Sequence, residues 1–220
     1  MNIKAFIAEF IGTFALIFVG VGAIASNQIT GGQSGLVGIA LAHGLTIAVM
    51  VSATAAISGG HLNPAVTIGL FCAQKIDLIN TIFYIAAQCL GAIVAAAMIK
   101  LCIPAEALAA VGFGTPQLSP GITVGMGLLT ELILTFFLVF VVYGTAVDKR
   151  APRCGGLFIG LTVALDILIG GPLTGAAMNP ARHLGPALVS GQLSHLWIYW
   201  VGPVAGGVLA AVLYRRFLEE

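Results

Sequence analysis

The sequence predicts an all-α membrane protein in which six spanning helices and two re-entrant half-helices form an inverted repeat. Three observations predict it. Hydrophobic residues make up 59% of the 220-residue chain and charged residues only 8%, about a third of the charged fraction of a soluble domain. The solvent for most of the surface is therefore lipid. Six apolar stretches are long enough for a bilayer core, which takes about 20 residues per helix. The second half of the chain also repeats the residue pattern of the first.

The six predicted spans cover about 5–26, 35–57, 78–102, 122–147, 155–170 and 195–217. The first ends in Ala23-Ile24-Ala25, which mimics a signal-peptidase site. It is nevertheless about 20 residues long, follows a single Lys4 and carries Glu9, whereas a signal core is roughly 7 to 15 uncharged apolar residues. It is expected to be retained as a span. Two shorter apolar pieces, about 64–75 and 180–190, cannot cross a bilayer, and each begins at Asn-Pro. They read as half-helices that enter and return. The longest loop, 104–121, is rich in Pro and Gly. Most of the 29 glycines are expected to serve close helix packing. Cys72, Cys89, Cys102 and Cys154 lie in or beside apolar segments without metal-binding spacing, and are expected to be small buried hydrophobes.

Lys4, Lys75, Lys149, Arg150, Arg153, Arg215 and Arg216 all fall on the side shared by both termini, with Lys100 opposite. Cations favour the cytoplasmic side, so both termini are expected there. Glu9-x-x-x-Thr13-Phe14 returns as Glu131-x-x-x-Thr135-Phe136, Gly44-Leu45-Thr46 as Gly160-Leu161-Thr162, Asn63-Pro64-Ala65 as Asn179-Pro180-Ala181, and Tyr84 with Gly91 as Tyr199 with Gly206. The whole chain, 1–220, reads as one transmembrane domain with repeats at about 4–102 and 119–217. Three spans is an odd number, so the second copy must be inserted upside down, and the half-helices enter from opposite faces.

Each Asn-Pro-Ala suits a helix start. Asn caps, Pro is tolerated at the first helical position because that amide has no partner, and Ala continues the turn. Opposed half-helices capped by Asn63 and Asn179 would bring two positive dipole ends to one point. Their side-chain amides could then donate to the oxygen of a passing water and orient it so that it cannot relay a proton in both directions. A net charge of +1 gives no case for a nucleic-acid partner. No nucleophile with a base, phosphate loop or metal cluster is legible, so neither an enzyme nor a bound metal or other cofactor is expected.

Ser58-Gly59-Gly60-His61-Leu62-Asn63-Pro64-Ala65-Val66-Thr67, with Asn179-Pro180-Ala181-Arg182 and Gly185-Pro186-Ala187, resembles the major intrinsic protein family, the aquaporins and glycerol facilitators. The resemblance covers about Ala5 to Tyr214 and implies a passive pore for water and small neutral solutes, assembled as a homotetramer in the lipid bilayer. It places a four-residue outer constriction at His43, Ile167, Ala176 and Arg182. Arg182 is the firmest of these from residue chemistry alone, because a cation within the membrane costs several kcal/mol unless it is functional or paired. His43, in the apolar run Ala40 to Val51, could by pattern alone be a core residue, and the resemblance assigns it to the pore.

His43 stands where strictly water-selective relatives carry Phe, and Ile167 where they carry His. That exchange resembles plant tonoplast aquaporins and the animal aquaporin-8 branch, which implies ammonia and hydrogen peroxide as further solutes. A glycerol facilitator is the alternative within the family, and a proton-coupled carrier, motivated by Glu9, Glu131 and Asp166, the alternative outside it. Against glycerol stand His183 directly after Arg182, where facilitators typically carry Asp, and the aromatic pair Tyr199-Trp200. His183 departs from the usual small residue and has no assigned role. His61 is expected to line the cytoplasmic vestibule. Glu9 and Glu131 are expected to be structural acids that accept hydrogen bonds from the irregular loops. Trp197, Tyr199 and Trp200 are candidate interfacial anchors, with His195 facing solvent.

Overall fold

The computed structural model describes residues 2–151 and 154–220. Arg153, one of the cations that sequence assigns to the side of the termini, lies outside the described residues. Among these residues every regular element is helical: α1 (Ile3–Ile29), α2 (Gly35–Ser58), α3 (Pro64–Cys72), α4 (Leu78–Cys102), α5 (Ala105–Ala110), α6 (Val124–Val142), α7 (Gly155–Thr174), α8 (Pro180–Ser190) and α9 (Ile198–Phe217). Six of them, with α6 extended by a π turn to Val147, are long and apolar enough to cross a membrane. The polar residues between them act as caps. Asn2 accepts from the backbone of Lys4 and Ala5, Asp77 from Asn80, and Thr123 from Met126, each satisfying amides a helix start leaves unpaired. Gly59 and Gly175 end α2 and α7 in the left-handed conformation, at φ 88° and 79°.

The most extensive interfaces are α2 with α7, α6 with α9 and α1 with α4. They are made by small residues. A Cβ on Gly44 would lie 2.5 Å from the Gly160 carbonyl oxygen, so α2 and α7 touch backbone to backbone. The half-helices cross over between the repeats. α3, from the first repeat, packs on α9 of the second through Gly69 and Gly207, where a Cβ on Gly69 would sit 2.8 Å from the Gly207 oxygen. α8 packs on α4 of the first through Gly185, whose Cβ would meet the Ala92 oxygen at 2.5 Å. Each half-helix is thus wedged into the other half of the chain.

Several boundaries and burials differ from the sequence reading. α7 continues past Gly170 through Pro172 to Thr174, and α9 begins at Ile198 instead of 195. Loop 104–121 is not featureless: it holds α5 and a 3-10 turn at Gly112–Gly114. Cys72, Cys102 and Cys154 are exposed and Cys89 is half-buried, which corrects the expectation of buried thiols. In a lipid solvent the outer face of a helix is as apolar as its core, so an apolar setting does not imply burial. Tyr199 is fully buried and is no interfacial anchor, whereas Trp197 and His195 are exposed. At one end of the bundle Lys75 pairs with Glu219 at 2.5 Å, Arg150 reaches the Leu218 carbonyl at 2.7 Å and Arg215 the Gln74 side chain at 2.7 Å. Lys100 lies apart from them, over the Phe113 ring.

Candidate functional site

The two Asn-Pro-Ala segments meet inside the bundle. Asn63 Oδ1 accepts from the Ala65 amide at 2.8 Å, and Asn179 Oδ1 from the Ala181 and Arg182 amides at 3.0 and 3.2 Å. These are the caps of α3 and α8, with Pro64 and Pro180 as first helical residues. The amide nitrogens face across the chain. Asn63 Nδ2 donates to the Met178 carbonyl and Asn179 Nδ2 to the Leu62 carbonyl, both at 2.9 Å. An amide nitrogen carries two hydrogens, so each Asn keeps a second N–H free of this cross-link. Both side chains line the same cavity.

The residues before each Asn hold unusual backbone. Leu62 and Met178 have φ of 52° and 51°, a conformation that costs a non-glycine residue energy unless its surroundings enforce it. Buried acids enforce it here. Glu9 accepts from the His61 and Leu62 amides at 2.9 and 2.6 Å, from Ser58 Oγ at 2.6 Å and from Gln88 Nε2 at 2.7 Å. Glu131 accepts from the Ala177 and Met178 amides at 2.9 and 2.7 Å and from Thr174 Oγ1 at 2.6 Å. Tyr84 and Tyr199 complete the pairing by donating to the Ser58 and Thr174 carbonyls, both at 2.9 Å. Without these carboxylates the loop amides would be buried and unpaired.

Three cavities lie in series. A central one of about 30 Å³ is room for roughly two waters. It opens at one end, through Gly60, His61 and Ile159, into a cavity of about 230 Å³ that Lys75 also lines. At the other end it meets a cavity of about 220 Å³ at His43, Ile167 and Arg182. Ala176, with φ of 43°, lines the central cavity beside them. Arg182 is buried, and its Nη1 donates to the Gly114 carbonyl at 2.8 Å. That bond orients the guanidinium and offsets part of its desolvation. His43 is 3% exposed, and its Nδ1 lies 2.9 Å from the Ile39 carbonyl oxygen. A carbonyl only accepts, so Nδ1 is the donor and Nε2 of the neutral ring is an acceptor.

The structure therefore brings Asn63, Asn179, His43, Ile167, Ala176, Arg182 and His61 onto one lumen, and sets Glu9 and Glu131 behind it. Pro64, Ala65, Pro180 and Ala181 are buried in the first turns of α3 and α8. Asp166 is buried one residue from Ile167, does not line the cavity, and its Oδ2 has no hydrogen-bond partner among the described residues. His183 is fully buried and stacks on Tyr199 with ring centroids 4.0 Å apart. Sequence reasoning missed Gly114, which acts through a carbonyl and so leaves no side-chain signal. It also missed Gln88, a polar residue inside the apolar run of α4, and the pair Ser58 and Thr174, which the repeat offset of 116 residues would have found.

Six membrane-length helices around two opposed half-helices and a narrow, mostly apolar lumen marked by a few polar groups at Asn63, Asn179, His43, His61 and Arg182 define a membrane channel. The model of the major intrinsic protein family matches residues 1–214, and the chain belongs to that family of channels for small neutral solutes. It is 44% identical to "Probable aquaporin TIP2-2" of Oryza sativa subsp. japonica over 97% of this chain and 87% of that protein. It is 46% identical to "Aquaporin TIP4-4" of Zea mays, over 96% of this chain and 85% of that one. Among solved structures, the aquaglyceroporin from Plasmodium falciparum superposes with a TM-score of 0.87 at 29% identity, covering 99% of this chain and 97% of that chain.

Proposed function

We propose that this chain is a passive channel for water that also passes ammonia and hydrogen peroxide. One observation carries the reading: Asn63 and Asn179, each tied to a carbonyl of the other repeat, flank a single narrow cavity whose far end is walled by His43, Ile167, Ala176 and Arg182. A water between the two amides accepts their free N–H groups, so its own hydrogens point away along the lumen and no proton wire forms through it. The positive ends of α3 and α8 and the Arg182 guanidinium repel cations, which would also have to shed hydration without compensation. Ile167 offers no hydrogen bond, and of the His43 ring nitrogens Nδ1 is taken by the Ile39 carbonyl and Nε2 is turned toward Gly20 of α1, so the constriction discriminates weakly between water and other small hydrogen-bonding solutes. The whole chain acts as one channel domain. The cation-rich end with Lys75, Arg150 and Arg215 is the cytoplasmic end, which puts both termini there, and four copies assemble with one pore each.

Full-length protein reconstituted in liposomes, followed by stopped flow for water, ammonia, hydrogen peroxide and glycerol side by side, tests this. Water, ammonia and peroxide fluxes are expected above those of empty vesicles, linear in gradient and indifferent to a proton gradient, with glycerol slow. The double variant His43→Phe with Ile167→His is expected to lower the ammonia and peroxide fluxes relative to water by up to about tenfold, the value of one hydrogen bond of about 0.5–1.5 kcal/mol. Unchanged ratios would remove the filter role from these two residues. Proton-driven accumulation would replace the channel with a carrier, and glycerol as fast as water would make it a glycerol facilitator.

A further inference from the structure

We propose that Gly20 of α1 is a positioning residue that sets the width of the outer constriction by giving the His43 ring a slot to lie in. The inference rests on the filter reading above. Glycine is a poor choice inside a helix on intrinsic grounds, and Gly20 is buried in regular α-helix, so the backbone gives no reason for it. Its neighbour does. A Cβ built on Gly20 would fall against the edge of the His43 imidazole, nearest Nε2, with Cδ2 at 2.6 Å and Cε1 at 2.9 Å. The ring cannot simply retreat, because Nδ1 is tied to the Ile39 carbonyl at 2.9 Å. A methyl group at position 20 therefore breaks that bond or swings the ring toward the open side, which is the lumen that His43 lines.

Two comparisons within the molecule separate this from general helix packing. Gly22, on the same helix, has only Ile99 Cδ1 within reach, at 3.8 Å, an ordinary contact. The repeat supplies the second. By the offsets that align Glu9 with Glu131 and Asn63 with Asn179, Gly20 corresponds to Val142 and His43 to Ile159. Val142 and Ile159 both line the lumen at its other end. There two aliphatic side chains share the wall. At the outer end the same two positions hold a ring and no side chain, so the larger group is accommodated by withdrawing it into α1.

Gly20→Ala is expected to lower water permeability of reconstituted full-length protein several-fold and peroxide permeability more than water, since the larger solute meets the narrowed bore first. Gly22→Ala is expected to match wild type. In a His43→Ala background, adding Gly20→Ala should change neither flux. Wild-type fluxes for Gly20→Ala would overturn the proposal. An equal fractional loss in the wild-type and His43→Ala backgrounds would do the same, because misfolding or general packing damage acts in both alike. If wild type itself carries no water above empty vesicles, the channel reading fails. If it conducts and Gly20→Ala is silent, the slot alone fails.

Discussion

The two ends of the lumen occupy equivalent positions of the repeat and carry opposite chemistry. His43, Ile167, Ala176 and Arg182 wall one end, the outer end in the proposed orientation, and the residues 116 positions away, Ile159, Val51, Gly60 and Val66, wall the opposite, inner end of the same cavity. Backbone, caps and buried acids are shared: Leu62 and Met178 have φ within a degree of each other, and Asn63 and Asn179 make cross-links of equal length. The side chains are not. A cation and an imidazole stand outside where two aliphatic groups stand inside, and the inner end has its own imidazole at His61 where the outer has Ala177. The repeated backbone makes a hole and substitution on it changes its walls, so the selectivity proposed above would be a departure from symmetry.

The largest test of that comparison is to make the ends alike. Arg182→Val installs the inner residue, Val66, at the outer position. A unit charge about 4 Å from a passing cation contributes roughly 4 kcal/mol of repulsion at an effective dielectric of 20. The positive ends of α3 and α8 still repel after the substitution, so the expected rise in proton leak, read from the collapse of a pH gradient across proteoliposomes, is at least about tenfold and not the full Coulombic factor. Water flux should persist. A leak unchanged from wild type would mean that the opposed half-helices exclude cations alone and that the outer charge serves another purpose.

A second difference between the halves lies behind the lumen. Glu9 is met by four donors, which occupy both oxygens twice, and Glu131 by three. Gln88, the extra donor, has Pro203 as its repeat counterpart, which has no side-chain donor to offer. Hydrogen bonds to a charged group contribute about 1.5–3 kcal/mol each, and an amide in place of the carboxylate turns one acceptor into a donor facing donors. Glu9→Gln is therefore expected to lower stability in detergent by about 3 kcal/mol and Glu131→Gln by about 2 kcal/mol, measured by thermal or denaturant unfolding. The reverse order would show that the number of donors does not set the strength of the two straps.

What could be read in the sequence divides along the same physical line. Features fixed by local rules were legible: the spans through their length and apolarity, the half-helices through Asn-Pro starts too short to cross, and the paired acids through their recurrence at one helix position. Burial was not, because lipid hides the contrast between core and surface that a soluble chain displays, and Cys72, Cys102 and Tyr199 were misjudged for that reason. Contacts made by backbone were not legible either. Gly114 holds Arg182 from a loop whose path depends on Phe113 and Gly114 adopting φ of 56° and 65°, and nothing in a loop's composition specifies which carbonyl will face inward. Asp166 shows the limit at one residue: its neighbour Ile167 lines the cavity and it does not, a distinction that rests on the rotation of α7 alone.

The smallest effect is expected where charge lies outside the lumen. At the inner end the ionic groups sit on the rim. Arg150 grips Asp148 through Nε and Nη2 at 3.0 and 2.6 Å and through its backbone amide at 2.9 Å, which holds the Asp148 carboxyl well below the usual carboxylate range. A depressed value in the folded state adds stability above the unfolded value of about 3.9 and loses it as pH falls through the lower folded value. The difference in unfolding midpoint between wild type and Asp148→Asn should therefore be small, constant from pH 8 to pH 5, and should close only below about pH 4. Water permeability should not follow it, because Asp148 is not among the residues that line the lumen. A permeability that tracked this titration would extend control of the pore to its inner rim and break the division between a selective outer end and a passive inner one.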